Sequence, residues 1–202
     1  MRVLDKKIIL IITLLFSFFN SCEKKIEKTK EVSKKTIDSK FLTNEKIFSF
    51  LEKSPKINPN SKMGKPFESL NFEKVIAYEY QDSPNSDPYS SIITDEKFIP
   101  TITKQMYLTQ TQAENLLSKL SNSKSYGIQP SICFYPHMSL IFFNRKKIVN
   151  VIDICLDCNQ LSSNVNIDNQ SKEFNGFSKY GRKAIIDFSK EINFKYKDYN
   201  TF

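Results

Sequence analysis

At 202 residues, with 40% hydrophobic and 13% aromatic content, the chain has room for one domain with a sizeable core. Its net charge of +8 raises the question of a nucleic-acid partner, but no stretch interleaves Lys/Arg with aromatic residues as a binding face does. The expectation is no nucleic acid and a solvated basic surface, and with only four glycines there is no Gly-rich phosphate loop.

The N-terminus differs in kind from the rest. Arg2, Lys6 and Lys7 form a basic n-region, residues 8–19 an apolar h-region broken by Thr13 and Ser17, and Phe19-Asn20-Ser21-Cys22 a lipobox. The apolar run is short of the roughly 20 residues that a membrane-spanning helix needs, so cleavage rather than retention is expected. This order predicts a bacterial lipoprotein signal peptide over residues 1–21, with Cys22 diacylated on its thiol and open to acylation, by palmitate for example, on the new amino terminus. Two or three chains on one residue anchor stably, because each buried methylene contributes roughly 0.8 kcal/mol. The predicted address is the bacterial cell envelope, lipid-anchored to a membrane, with the outer membrane expected. Removing residues 1–21 takes away three basic residues and one acidic one, which leaves +6. Residues 23–40 hold only Ile26, Val32 and Ile37 as apolar positions and cannot build a core. Residues 22–40 therefore read as a lipidated cysteine and a polar tether.

Residues 41–202 are expected to form a single α+β domain with a small, mostly antiparallel sheet, a central hairpin and two or three flanking helices. Thr43 can cap a helix to Lys53 carrying Ile47, Phe48 and Leu51. Residues 72–80, FEKVIAYEY, read as a strand buried on both faces in places. Ile92 and Ile93 read as a short strand, and residues 98–108 as an extended segment that Pro100 confines to an edge. Thr111-Gln112-Ala113-Glu114 fits a capping box ahead of a helix to Leu120, with Ala113, Leu116, Leu117 and Leu120 as its apolar stripe. Residues 138–143 and 148–156 form a hairpin about the polar turn Asn144, Arg145, Lys146, Lys147. Residues 159–175 are a polar loop unless Val165 and Ile167 make a strand. Ser178 to Ile192 is a helix with Tyr180, Ala184, Phe188 and Ile192 on its apolar face, weakened in its first turn by Gly181. The aromatic ending is expected to lie on the domain surface.

The chemistry-bearing residues gather at one end of that hairpin. Pairing Asn144 with Lys147 sets Cys133 opposite Cys158 and Pro136 opposite Cys155, with His137, the chain's one histidine, nearby. Three uses stay open. Cys133, His137, Cys155 and Cys158 make a Cys₃His set for tetrahedral zinc, provided the strand ends at about Cys155 and turns. An oxidising envelope favours a disulfide, Cys133 to Cys158 by register or Cys155 to Cys158 as the other pairing. Directly opposed Cβ atoms are roughly 4.5–5.5 Å apart, long for a disulfide without twist or a bulge. A thioredoxin-like pair at Cys155 and Cys158 would require a helix after the motif, and NQLSSN has no helical stripe. Besides these, Cys133 and Cys155 could be small buried hydrophobes. No oxyanion hole or orienting group accompanies a Cys–His nucleophile pair, so no catalytic residue is assigned.

The order of FEKVIAYEY, a capped helix, CFYPHMSLIFFNRKKIVNVIDICLDCN and GFSKYGRKAIIDFSKEINF resembles a family of small, uncharacterised lipoproteins of Bacteroidetes-type bacteria. Their C-x-x-P-H…I-C-x-x-C-N core is similar to residues 133–159. Their S-x-x-G-x-x-x-L helix is similar to residues 178–186, with Ile185 or Ile186 where leucine is usual. The resemblance spans roughly residues 67–195 and implies location and fold kinship, with no activity attached. The expected function is a lipid-anchored, non-enzymatic binding or structural module whose Cys/His site stabilises the fold. The other candidate is a thiol-dependent redox or other enzyme using Cys155 and Cys158.

Overall fold

The central hairpin forms, and the rest of the domain is laid on both its faces. The structure, a computed structural model, describes residues 41–82, 89–171 and 176–200. In chain order these form helix α1 (Asn44–Lys53), strands β1 (Lys74–Tyr80), β2 (Ile93–Thr94), β3 (Lys97–Phe98) and β4 (Ile102–Tyr107), and helix α2 (Gln110–Leu120). Strands β5 (Tyr126–Ile128), β6 (Met138–Asn144), β7 (Lys147–Cys155) and β8 (Gln160–Ser163) follow, then the one-turn helix α3 (Asp168–Ser171), strand β9 (Gly176–Phe177) and helix α4 (Lys179–Glu191). The main sheet has the order β4-β1-β6-β7-β8, with every neighbouring pair antiparallel. Strands β2 and β3 form one small sheet, and β5 and β9 another. The class is α+β, as the sequence implied.

Strand β6, MSLIFFN, is apolar almost throughout because both sides of the sheet are covered. Val75, Ala77, Leu140, Phe142, Ile152 and Ile154 pack in one cluster with the α2 stripe of Ala113, Leu116, Leu117 and Leu120 and with Ile185 of α4. The alternate residues Ile76, Tyr78, Tyr80, Ile141, Phe143 and Val151 join Ile47 and Leu51 of α1, together with Ile92, Ile99 and Ile102. Alternation along each strand thus divides the core in two, which is what period-2 side-chain geometry requires of a doubly covered sheet.

Several local expectations shift. The capping box of α2 lies two residues earlier than predicted: Thr109 Oγ1 accepts from Gln112 N at 3.3 Å, and Gln112 Oε1 accepts from Thr109 N at 2.9 Å. Glu114, the expected box partner, instead accepts from Gln110 Nε2 and Asn60 Nδ2, both at 2.8 Å. These bonds hold its carboxyl below the ordinary carboxylate range. The extended segment 98–108 splits around Pro100 into β3 and the edge strand β4, where proline's missing N–H is harmless.

The polar stretch after Cys158 holds strand β8, which its composition hid because Leu161 alone among its four residues is buried. Val165 and Ile167 lie outside it. In α4, Tyr180 is 44% exposed, and the buried first-turn residue is Gly181. A Cβ at Gly181 would stand 2.2 Å from the Ser125 carbonyl oxygen, so glycine is what lets the helix close on that backbone. The ending does not rest on the surface: Phe194 and Tyr196 are each 1% exposed. Among the described residues no helix is long and apolar enough to cross a membrane.

Candidate functional site

The hairpin register is the first determinant of the site. Asn144 pairs with Lys147 and Phe143 with Ile148 as expected, but Phe142 then pairs with Asn150, so Val149 is an extra residue in β7. This bulge carries through the hairpin to Met138 opposite Ile154. Beyond that pair His137 N donates to the Ile154 carbonyl at 3.4 Å, so His137 rather than Pro136 comes beside Cys155.

Strand β7 ends at Cys155, and the chain turns through Leu156, Asp157, Cys158 and Asn159 into β8. Asn159 takes the left-handed conformation, φ +55°, which suits an asparagine and reverses the chain. The turn brings Cys155 and Cys158 together with Cα atoms 5.2 Å apart, and the two are disulfide-bonded. Cys133 remains a thiol, with its Sγ 3.4 Å from Cys158 Sγ. The expected Cys133–Cys158 approach is therefore present, but the covalent bond goes to Cys155. The reason is local: a turn delivers residues 155 and 158 to each other whatever the strands do, whereas the cross-strand pair depends on a register that the bulge shifts.

The corner is fixed from several sides. Cys158 N donates to Cys155 Sγ at 3.0 Å. Asn159 Nδ2 donates to the Phe177 carbonyl, and Phe177 N to the Asn159 carbonyl, both at 2.9 Å. Arg182 of α4, 4% exposed, donates from Nη1 to the Leu156 carbonyl at 2.5 Å and to Asn159 Oδ1 at 3.4 Å. Burial pushes its guanidinium below the usual arginine range, with Asp157 acting in the opposite sense. Sequence reasoning missed Arg182, since nothing in an arginine on a helix announces that it caps a turn on another element.

His137 is nearly buried, and its Nδ1 lies 3.7 Å from Asp82 Oδ1. The cavity bordered by Glu79, His137, Met138 and Tyr196 leaves no room for a water molecule. Of the four expected zinc ligands the three sulfurs lie together, Cys133 Sγ 3.4 Å from Cys158 Sγ, but Cys155 and Cys158 are bonded to each other, and among the described residues no group of three or more His, Cys, Asp or Glu is placed to hold a metal ion. Nor does the Cys-x-x-Cys pair start a helix, because β8 follows it. Cys22, the lipobox and the tether lie outside the described residues.

A second polar group was not anticipated. On the face of the sheet toward α1, Tyr80 Oη lies 3.0 Å from Ser139 Oγ, the Ser139 hydroxyl donates to Asp153 Oδ1, and Ile92 N donates to the same oxygen at 3.2 Å. Burial raises the Asp153 carboxyl above its ordinary range against hydrogen bonds from Ser139, Ser91, Ile92 and Tyr80. The signal was a serine and an aspartate inside mostly apolar strands; the bulge concealed that they face each other.

Neither a protein-family model, nor a curated protein, nor a solved structure matches this chain.

Proposed function

We propose that the protein is a lipid-anchored lipoprotein of the bacterial cell envelope, akin to the small lipoproteins its motifs resemble. Its α+β domain, in this reading, is a non-enzymatic binding or structural module. The single observation that carries the non-enzymatic reading is the state of the Cys-x-x-Cys pair. Cys155 and Cys158 are both 0% exposed, joined to each other, and hydrogen-bonded into a corner that ties β7, β9 and α4 together. A Cys-x-x-Cys catalyst presents a sulfur of the pair itself to its substrate, and neither sulfur of this buried pair is presented. The tether and the lipobox at Cys22 support the address: a short apolar run, a small residue and a cysteine in the order that lipoprotein processing requires.

Intact-mass measurement of the protein extracted from membranes in detergent tests both parts. The expected species begins at Cys22, carries a diacylglyceryl adduct, and is lighter than its reduced form by two hydrogens. Peptide mapping should place that bridge at Cys155 and Cys158. A chain that keeps residues 1–21, or an unmodified Cys22, defeats the lipoprotein reading. A zinc adduct with three thiols defeats the staple.

A further inference from the structure

Cys133 differs from the bridged sulfurs in a way that matters chemically. It is partly exposed, whereas Cys155 and Cys158 are each 0% exposed. Solvent reaches the Cys133 residue and neither end of the disulfide. Its Sγ nevertheless lies 3.4 Å from Cys158 Sγ, and the loop that carries it is held in place. Ser131 N donates to the Cys158 carbonyl at 2.9 Å, Tyr135 N to Cys158 Sγ at 3.3 Å, and Gln160 Nε2 to the Cys133 carbonyl at 2.7 Å. On the far side of the disulfide, the Cys158 N–H points at Cys155 Sγ, where it would stabilise a departing thiolate. A nucleophilic sulfur, an acceptor sulfur and a supported leaving sulfur thus occupy one cluster.

We propose that Cys133 is the exchange site through which the buried Cys155–Cys158 disulfide reacts with low-molecular-weight thiols and disulfides while the domain stays folded. The Cys133 thiolate attacks Cys158 Sγ. The Cys133–Cys158 bond forms as the Cys155–Cys158 bond breaks, the electron pair leaves on Cys155 Sγ, and Cys155 regains the proton that Cys133 gave up. This step involves no net oxidation. An external thiolate then attacks Cys133 Sγ, forming a mixed disulfide there and releasing Cys158 as a thiolate, and a second external thiol resolves the mixed disulfide. In total two external thiols become one disulfide, and the protein gains two electrons and two protons as three free thiols. Run backwards from an external disulfide, the same steps install the buried bridge.

The test uses the full mature chain in detergent and reduced glutathione as the thiol, with timed acid quench, alkylation and mass mapping. Cys133→Ser should slow reduction of the bridge about tenfold or more, because access of the reductant, and not intrinsic reactivity, limits the direct route. A variant with a damaged fold would expose the bridge and react faster, so the slower rate is not a sign of misfolding. Equal rates in the two proteins overturn the proposal. In a second measurement, Cys155→Ser treated with oxidised glutathione should yield a mapped Cys133–Cys158 bond, whereas accumulation of only a Cys133–glutathione adduct overturns it. The exchange depends on the bridge and not on the lipid anchor. A confirmed bridge with equal reduction rates removes this inference and leaves the proposed function standing.

Discussion

Ser139 and Asp153 face each other across the central hairpin, and the serine hydroxyl donates to the carboxylate where Ser139 is 0% and Asp153 5% exposed. Burial raises the Asp153 pKa in the folded state, so its favourable contribution is complete below the unfolded value of about 3.9 and is lost as pH rises through the folded value. Asp153→Asn keeps the Oδ1 acceptor used by Ser139 and Ile92 and cannot ionise. Its melting temperature should match wild type below about pH 3.9 and exceed it at pH 7, as followed by circular dichroism. A wild type that melts higher than the variant at pH 7 would contradict this account. Ser139→Ala, which deprives the buried carboxylate of a donor, should cost about 1–3 kcal/mol in urea unfolding.

Gly181 sits inside a helix, where alanine ordinarily gains about 1 kcal/mol over glycine. Here the added methyl would stand 2.2 Å from the Ser125 carbonyl oxygen, a backbone atom that cannot swing aside. Overpacking of about 1–3 kcal/mol outweighs the propensity gain, so Gly181→Ala should lower stability. Chemical denaturation reads the sign directly, and a stabilised variant would show that α4 does not approach Ser125 this closely.

The position of the α2 cap separates two threonines that are two residues apart. Thr109→Ala should cost about 1 kcal/mol, because it removes the acceptor for Gln112 N. Thr111→Ala, beyond the cap, should stay within about 0.5 kcal/mol of wild type. Equal losses at the two sites would place the helix start elsewhere.

The Cys155–Cys158 bridge closes a short loop, of sequence separation 3. In the chain-entropy treatment such a loop contributes about 2 kcal/mol, so a Cys155→Ala/Cys158→Ala double variant should lose roughly that amount and still fold. An unfolded double variant would mean that the corner, with its bonds to Phe177 and Arg182, cannot form without the sulfurs.

The class, the central hairpin, both long flanking helices and the clustering of the cysteines could be read from the sequence, because each rests on periodicity or on contacts short along the chain. Ile152 and Ile154 fall in a β-rich run, and Thr43 announces itself by its chemistry as a cap. What could not be read depends on events between elements. One inserted residue at Val149 changed which side chains face each other, hiding the Ser139–Asp153 pair and moving His137 to the place expected for Pro136. The exchange of Thr111 for Thr109 as cap was a choice between two chemically equal threonines, decided by where β4 ends. Gly181 read as a weak point, and is a contact surface. Strand β8 has almost no apolar content, and its place is set by the ladder offered by β7.

The attachment of α1 gives the domain a mechanical order. The chain enters at residue 41, Leu42 N is bonded to the Ile102 carbonyl of the edge strand at 2.7 Å, and α1 covers one face of the sheet from there. Tension applied from the N-terminal side loads that bond and the α1 contacts first, as a peeling motion. Strands β6 and β7, flanked on both sides, are loaded last. In single-molecule pulling through the N-terminus, a small early step from α1 should precede the main rupture of the sheet. Under such a load the domain yields a helix before it loses its corner of cysteines.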